Sequence, residues 1–162
     1  MSKTIVVYGS STGTCESIAQ TIGKKTGAEV IEVVKLTADQ LEGADNILLG
    51  TSTWGGGEMQ DDWYDGVKII KSSNLSGKKV AIFGCGDSGS YSDTFCSGIK
   101  ELYDAAQSAG ATLVGEVSTE GYTFDDSEAV VDGKFLGLAL DDVNEDFKTE
   151  ERIDAWLPTL GL

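Results

Sequence analysis

The chain has 162 residues, 40% of them apolar, with a formal charge of −15 and no histidine. This length fits one domain, residues 1–162, able to bury a good core. The acidic balance argues against nucleic acid and anionic membrane surfaces, which need clustered Lys and Arg. The absence of histidine removes the Ser-His-Asp triad, the Cys-His pair and His-ligated zinc.

The first predicted element is a strand, Thr4–Tyr8, preceded by Met1-Ser2-Lys3 with no secretory pattern. No apolar run approaches the ~18 residues of a membrane span. A cytoplasmic protein without membrane insertion is therefore expected. The strand empties into Gly9-Ser10-Ser11-Thr12-Gly13-Thr14-Cys15-Glu16, which opens a helix carrying Ile18, Ala19 and Ile22 on one face. Such a turn gathers backbone N–H groups, hydroxyls and the positive end of a helix dipole in one small volume. It contains neither Lys nor Arg, so an anion there is held by neutral donors. One helix cap needs one hydroxyl, and the turn supplies four, at Ser10, Ser11, Thr12 and Thr14. The spacing is neither that of a Walker A loop nor that of a dinucleotide fingerprint. A phosphate is the ligand this turn suits.

A second strand is expected at Glu29–Val33 and a third at Asn46–Thr51. The third leads into Thr51-Ser52-Thr53-Trp54-Gly55-Gly56-Gly57-Glu58, an aromatic set between hydroxylic residues and glycines that let the backbone change conformation. Trp63, Val67 and Ile70 mark a short helix. A fourth strand, Lys79–Phe83, ends in Gly84-Cys85-Gly86-Asp87-Ser88-Gly89-Ser90-Tyr91. This is a literal G-x-G-x-x-G, but it follows the fourth strand, and no strand-ending acidic residue lies about 20 positions on. Trp54 and Tyr91, from neighbouring strand ends, suit the two faces of a flat ring, with Asp87 at its edge. Phe95, Ile99, Leu102, Ala106 and Ala109 give a longer helix. A fifth strand at Thr112–Val117 is interrupted by residues 119–147, within which Lys134–Leu140 reads as strand again. Ile153, Trp156, Leu157 and Leu160 close the chain with a helix.

Continuously apolar strands alternating with helices predict an α/β fold, a three-layer doubly wound sandwich on a five-stranded parallel sheet. Its last strand is split by an insertion. Cys15, Cys85 and Cys96 lack metal-site spacing and are expected as reduced thiols. A phosphate on one loop and a flat heterocycle between two others describes a mononucleotide. No catalytic group lies nearby, so the ring itself is the reactive part.

These three loops resemble those of the flavodoxin family, small FMN-dependent electron carriers. The resemblance covers essentially the whole chain. Residues 119–140, with Asp132-Gly133-Lys134-Phe135-Leu136-Gly137-Leu138-Ala139-Leu140-Asp141, resemble the insertion of long-chain members. It implies strand order 2-1-3-4-5. It also implies that Ser10, Ser11, Thr12, Gly13, Thr14 and Cys15 hold the FMN phosphate, and that Ser52, Thr53, Trp54, Gly55 and Gly56 form the loop over one flavin face. Cys85, Gly86 and Asp87 would meet the pyrimidine edge. The third loop, through Tyr91, Asp93, Phe95 and Cys96, would carry the second stacking ring. The Gly55-Gly56 peptide would turn its carbonyl toward the reduced flavin. Cys15 departs from the Thr frequent in the family, and the run after Trp54 is short. The implied role is a low-potential one-electron carrier rather than an enzyme, cycling mainly between semiquinone and hydroquinone. Its expected partners are redox proteins with basic docking surfaces, such as ferredoxin/flavodoxin-NADP reductase, and a monomer is expected. An FMN-dependent NAD(P)H:quinone reductase of related fold is the alternative. A signalling receiver domain is set aside, because Ser10-Ser11 and Thr51-Ser52 stand where it needs acidic residues.

Overall fold

The structure is a computed structural model that describes residues 3–9, 14–54, 58–59, 62–86, 89, 95–122, 124–141 and 144–161, with backbone alone at 53, 54, 58 and 59. Strand β1 (Thr4–Gly9) leads to helix α1 (Thr14–Thr26), β2 (Glu29–Glu32) and a short helix α2 (Ala38–Glu42). Then follow β3 (Asn46–Trp54), β4 (Glu58–Met59), α3 (Trp63–Ser72), β5 (Lys79–Cys85) and α4 (Gly98–Ser108). Five short strands come next: β6 (Thr112–Leu113), β7 (Val117–Ser118), β8 (Val130–Val131), β9 (Lys134–Phe135) and β10 (Leu138–Leu140). Helix α5 (Asp146–Trp156) and a 3-10 turn, Leu157–Leu160, end the chain.

The main sheet runs β2-β1-β3-β5-β10, with β6 also on β5. These pairings are parallel. Counting β6 and β10 as the halves of one strand, this is the expected 2-1-3-4-5 order. Both halves lie on β5: β6 pairs at Lys79 and Val80, β10 at Phe83–Cys85. The short β4 adds antiparallel to the end of β3.

Alternation along β1, β3 and β5 explains why their middles are apolar in both phases. Ile5, Val7, Ile47, Leu49, Val80 and Ile82 join Trp63, Ile70, Ile99 and Leu102 of α3 and α4 in one core. Val6, Tyr8, Leu48, Ala81 and Phe83 join Ile18, Ile22, Ile153 and Trp156 of α1 and α5 in the other. Successive side chains of a strand point to opposite faces, so a strand covered on both sides has no polar phase.

Two local expectations are corrected. The strand read at Thr112–Val117 leaves the main sheet after Leu113. Gly115 takes φ +89°, a left-handed conformation that turns the chain, and its carbonyl accepts the Trp156 indole N–H at 2.8 Å. Val117–Ser118 then pairs antiparallel with Lys134–Phe135, which also pairs with Val130–Val131. The stretch Lys134–Leu140 is thus two strands in two sheets, divided at Leu136-Gly137. Asp132 (φ 53°) and Gly133 (φ 77°) form the hairpin turn between β8 and β9, the Asp-Gly pair such left-handed turns favour. Helix α2 has no counterpart in the apolar periodicity. Its signal is a capping box: Thr37 Oγ1 accepts from Gln40 N at 3.3 Å, and Gln40 Oε1 accepts from Thr37 N at 2.9 Å.

The insertion is fastened by aromatic packing. Phe95, Tyr122, Phe124 and Phe135 form one cluster, with ring centroids 4.8–6.2 Å apart. The Tyr122 hydroxyl donates to Ala139 O at 2.7 Å. Burial pushes the Tyr122 pKa up to about 12, against the opposing pull of the Arg152 charge. Between pH ~10 and ~12 the unfolded chain therefore releases a proton that the native state retains. Stability from this group is intact below pH ~10 and falls as pH rises toward 12, by about 3 kcal/mol over those two units. Denaturant unfolding at stepped alkaline pH should show this fall. Tyr122→Phe should flatten it, and an unchanged slope in that variant would refute the assignment.

Candidate functional site

The three loops singled out in the sequence leave neighbouring strands at one level of the sheet. Gly9 ends β1 opposite Thr51 of β3. Thr51 and Ser52 lie opposite Gly84 and Cys85 of β5. Leu140, the last residue of β10, lies opposite Cys85. The chain moves from β1 to β2 on one side and then to β3 on the other. The switch of direction thus falls between β1 and β3, where ligands of open parallel sheets bind.

Helix α1 begins at Thr14, so its N-terminal amides face the end of β1. Its basic residues, Lys24 and Lys25, are in its last turn, about 15–20 Å along the axis. Glu16 lies in the first turn. Burial first, then the Glu16 and Glu32 carboxylates, raise the pKa of Tyr8 at the end of β1. The mouth of the helix thus offers dipole and N–H donors with no cation among the described residues. Ser10, Ser11, Thr12 and Gly13 lie outside the described residues.

Cys15 is fully buried and packs with the α1 face of the core. Any part it takes in binding is through its backbone. Of the second loop, Thr51 is buried, its hydroxyl donating to Ser52 O at 2.9 Å, and Ser52 is half-buried. Thr53 and Trp54 are described as backbone, continuing β3 to its end against β4. Gly55 and Gly56 lie outside the described residues.

The third loop is where the sequence pattern receives its physical explanation. A Cβ on Gly84 would lie 2.6 Å from Ile99, and one on Gly86 2.9 Å from the Cys96 amide nitrogen. A Cβ on Gly89 would lie 2.8 Å from Asn144 Oδ1. Each glycine of the G-x-G-x-x-G run has a different close neighbour, and at Gly86 that neighbour is backbone, which cannot move aside. At Gly86, packing alone accounts for the glycine. Asp87, Tyr91 and Asp93 lie outside the described residues.

Cys85, Phe95 and Cys96 are buried. Cys96 takes φ 53° and its thiol donates weakly to Gly84 O and Leu140 O, both at 3.7 Å. Burial holds this thiol well above its ordinary pKa, so it stays protonated and unreactive. Phe95 and Cys96 anchor the third loop, with their side chains in the core. Phe95 N donates to Asp126 O at 3.2 Å, and Ser97 Oγ accepts from Glu128 N at 3.0 Å. The insertion thereby ties down the far end of this loop.

A fourth segment, following β10, also borders the site. The buried Asp141 follows β10 and accepts from Asn144 N at 3.0 Å and Asn144 Nδ2 at 3.1 Å. This places Asn144 beside Gly89. Its sequence signal is Asp141 and Asn144, two turn-favouring residues directly after an apolar strand.

Comparison with known proteins agrees with this geometry. The chain matches the flavodoxin family model over residues 6–156. It belongs to the flavodoxin family. Flavodoxin 1 of Azotobacter vinelandii is 39% identical over 167 residues, covering 99% of this chain and 96% of that protein. Flavodoxin 1 of Escherichia coli is 38% identical over 165 residues, covering 99% and 94%. Among solved flavodoxins, that of Fusobacterium nucleatum bound to flavin mononucleotide superposes with TM-score 0.91 at 31% identity. The match covers 98% of this chain and 96% of the other.

Proposed function

We propose that this flavodoxin binds FMN across the three loops and carries single electrons at low potential between redox proteins. The observation that carries the reading is the convergence of the β1, β3 and β5 exits at the sheet's switch point, beside a helix N-terminus whose first turn holds no cation among the described residues. The resident group fits this donor set: a phosphate takes amides and hydroxyls, and its charge is met by the helix dipole. The bound flavin of the Fusobacterium relative supports the same assignment.

Ser10, Ser11, Thr12 and Thr14, with the amides of Gly13 and Cys15, hold the phosphate. Ser52 and Thr53 carry the chain toward Trp54, which covers one ring face, with Tyr91 on the other. Cys85, Gly86 and Asp87 meet the ring edge through backbone and carboxylate. Bound flavin supplies the electron chemistry. The protein sets the potential by binding the redox forms unequally: tenfold weaker binding of the reduced form lowers a one-electron potential by about 59 mV. A site without cations, in a chain of charge −15, disfavours the anionic hydroquinone. Stacked rings exclude the water that would solvate it. The Gly55-Gly56 peptide accommodates the neutral semiquinone, so the working couple is semiquinone and hydroquinone.

The carrier has no substrate of its own and works as a cytoplasmic monomer, a compartment suited to its free buried cysteines. Its acidic surface meets basic patches on partners such as ferredoxin/flavodoxin-NADP reductase.

Stepwise reduction of FMN-loaded protein, followed by absorption, tests the reading. A blue neutral radical is expected at half reduction. Trp54→Ala and Tyr91→Ala should each weaken FMN binding by roughly 5- to 150-fold, the range for loss of one stacked ring. Reduction by a basic reductase should slow as salt is added. Protein that takes up no FMN at micromolar levels, or passes to the two-electron form with no radical, would end the proposal. NADPH oxidation by the protein without added reductase would favour the quinone reductase instead.

A further inference from the structure

The third loop is fastened to the rest of the fold at three described points. At its start, Gly86 N donates to Leu140 O at 2.9 Å. At its far end, Phe95 N donates to Asp126 O at 3.2 Å. Between them, the Asn144 side chain lies against Gly89, its Oδ1 2.8 Å from where a Cβ on that glycine would stand. Gly89 comes two positions before Tyr91, so in the chain this fastening is closer to the second stacking ring than the other two.

Asn144 is itself gripped twice by one carboxylate. Asp141 directly follows β10 and is fully buried. Its Oδ1 accepts from Asn144 N at 3.0 Å, and both its oxygens accept from Asn144 Nδ2 at 3.1 Å. Glu145 N donates to Asp141 O at 2.9 Å, which fixes the same segment at the entrance to α5. A carboxylate only accepts, so the amide nitrogen must face Asp141 and the amide oxygen is turned toward Gly89. Hydrogen bonds to a charged acceptor are stronger than neutral ones. The end of this asparagine is therefore not free to swing aside, although the residue as a whole is exposed.

We propose that Asn144, locked by Asp141, is a positioning residue for the flavin: it backs Gly89 and so sets how closely the third loop closes on the ring. The role rests on FMN being the resident group and deepens that reading. A loop held in this way keeps water from the ring. Water stabilises the anionic reduced flavin more than the neutral oxidised one, since a charge gains most from solvation. Loosening the loop therefore costs the oxidised form more affinity than the reduced form.

The test titrates the full chain, stripped of flavin, with FMN and with riboflavin, which lacks the phosphate. It also measures the two-electron potential of the FMN-loaded protein. Asn144 and Gly89 are both exposed, so their variants leave the core intact. Asn144→Ala is expected to weaken FMN and riboflavin by the same factor, about tenfold, because the phosphate turn is untouched. Reduced FMN should lose at least about threefold less than oxidised FMN, so the potential rises. Gly89→Ala drives a Cβ against the locked amide and should also cost about tenfold. In the Asn144→Ala background that cost should shrink at least about fivefold, because the obstacle is gone.

The proposal is overturned if Asn144→Ala binds both flavins as the parent chain does, or if FMN alone is weakened. It is overturned too if the potential does not move, which would leave Asn144 a merely structural role, or if Gly89→Ala costs the same in both backgrounds. Any of these, with the parent chain binding FMN, ends this role alone. A parent chain that takes up no FMN ends the flavin assignment and this role with it.

Discussion

Trp63→Ala is expected to lower the free energy of unfolding by about 4 kcal/mol, the range for deleting a large buried aromatic. Trp63 opens α3 and is fully buried. Its indole N–H donates to Gly50 O at 2.7 Å, which fastens the helix to β3 four residues before Trp54. The substitution leaves a cavity in the core between α3 and β3 and removes that bond. Trp63→Phe keeps most of the volume but deprives the Gly50 carbonyl of this donor, and should cost about 1–3 kcal/mol. Urea unfolding of the apo forms measures both. A loss below about 1 kcal/mol for the alanine variant would mean that the site collapses freely or that the packing described here is wrong. Since domains of this kind hold ~5–15 kcal/mol in all, the alanine variant should be close to unfolding when warmed.

Gly137→Ala is the second large effect, and its cause is close approach alone. A Cβ at Gly137 would drive into the backbone carbonyl of Ile82 on β5. A side chain could rotate away from such a contact, but a central strand cannot. The substitution must push β10 off β5 at the start of their pairing, Leu138 opposite Phe83. A loss of about 3 kcal/mol is expected from overpacking. Hydrogen exchange should locate it, with the amides of β10 losing protection before those of β1 and β3. Retained protection in β10 with unchanged stability would refute the account.

Much of the architecture is legible in the chain because its signals are local. A strand buried on both faces must be apolar in both phases, and Ile5–Tyr8 and Ile47–Leu49 carry that mark unaided. Trp63, Val67 and Ile70 recur at helical spacing, and α3 forms there. The loops between these elements announce themselves by residues that favour turns and donate hydrogen bonds. The small pieces were harder to read. Helix α2 has five residues, too few for periodicity, and rests on its capping box. The fifth strand was read too long at Thr112–Val117, because alternating apolar residues do not say which sheet they join. Gly115 and the Trp156 indole decide that.

The side chains around the candidate site divide in the same way. Cys15, Phe95 and Cys96 sit inside ligand-like sequence, and their side chains point into the core. Gly84, Gly86 and Gly89 spell a nucleotide fingerprint, and each answers to a separate neighbour. Asn144 borders the third loop from more than fifty positions away in the chain. The setting of Arg152 has no local signature, since its surroundings come from Tyr122, Gly121 and Glu145.

The amino-acid sequence alone determined the layered α/β plan, the three loops that could receive a mononucleotide, and the absence of cations from the first of them. These follow from backbone preference, hydrophobic phase and charge, which act between residues a few positions apart. The tertiary structure alone decided which of those residues turn into the core, where the last strand divides, and that the single arginine is held between Glu145, Gly121 and the Tyr122 ring. Those outcomes depend on which distant segment comes to rest against each residue, and no local pattern encodes that contact.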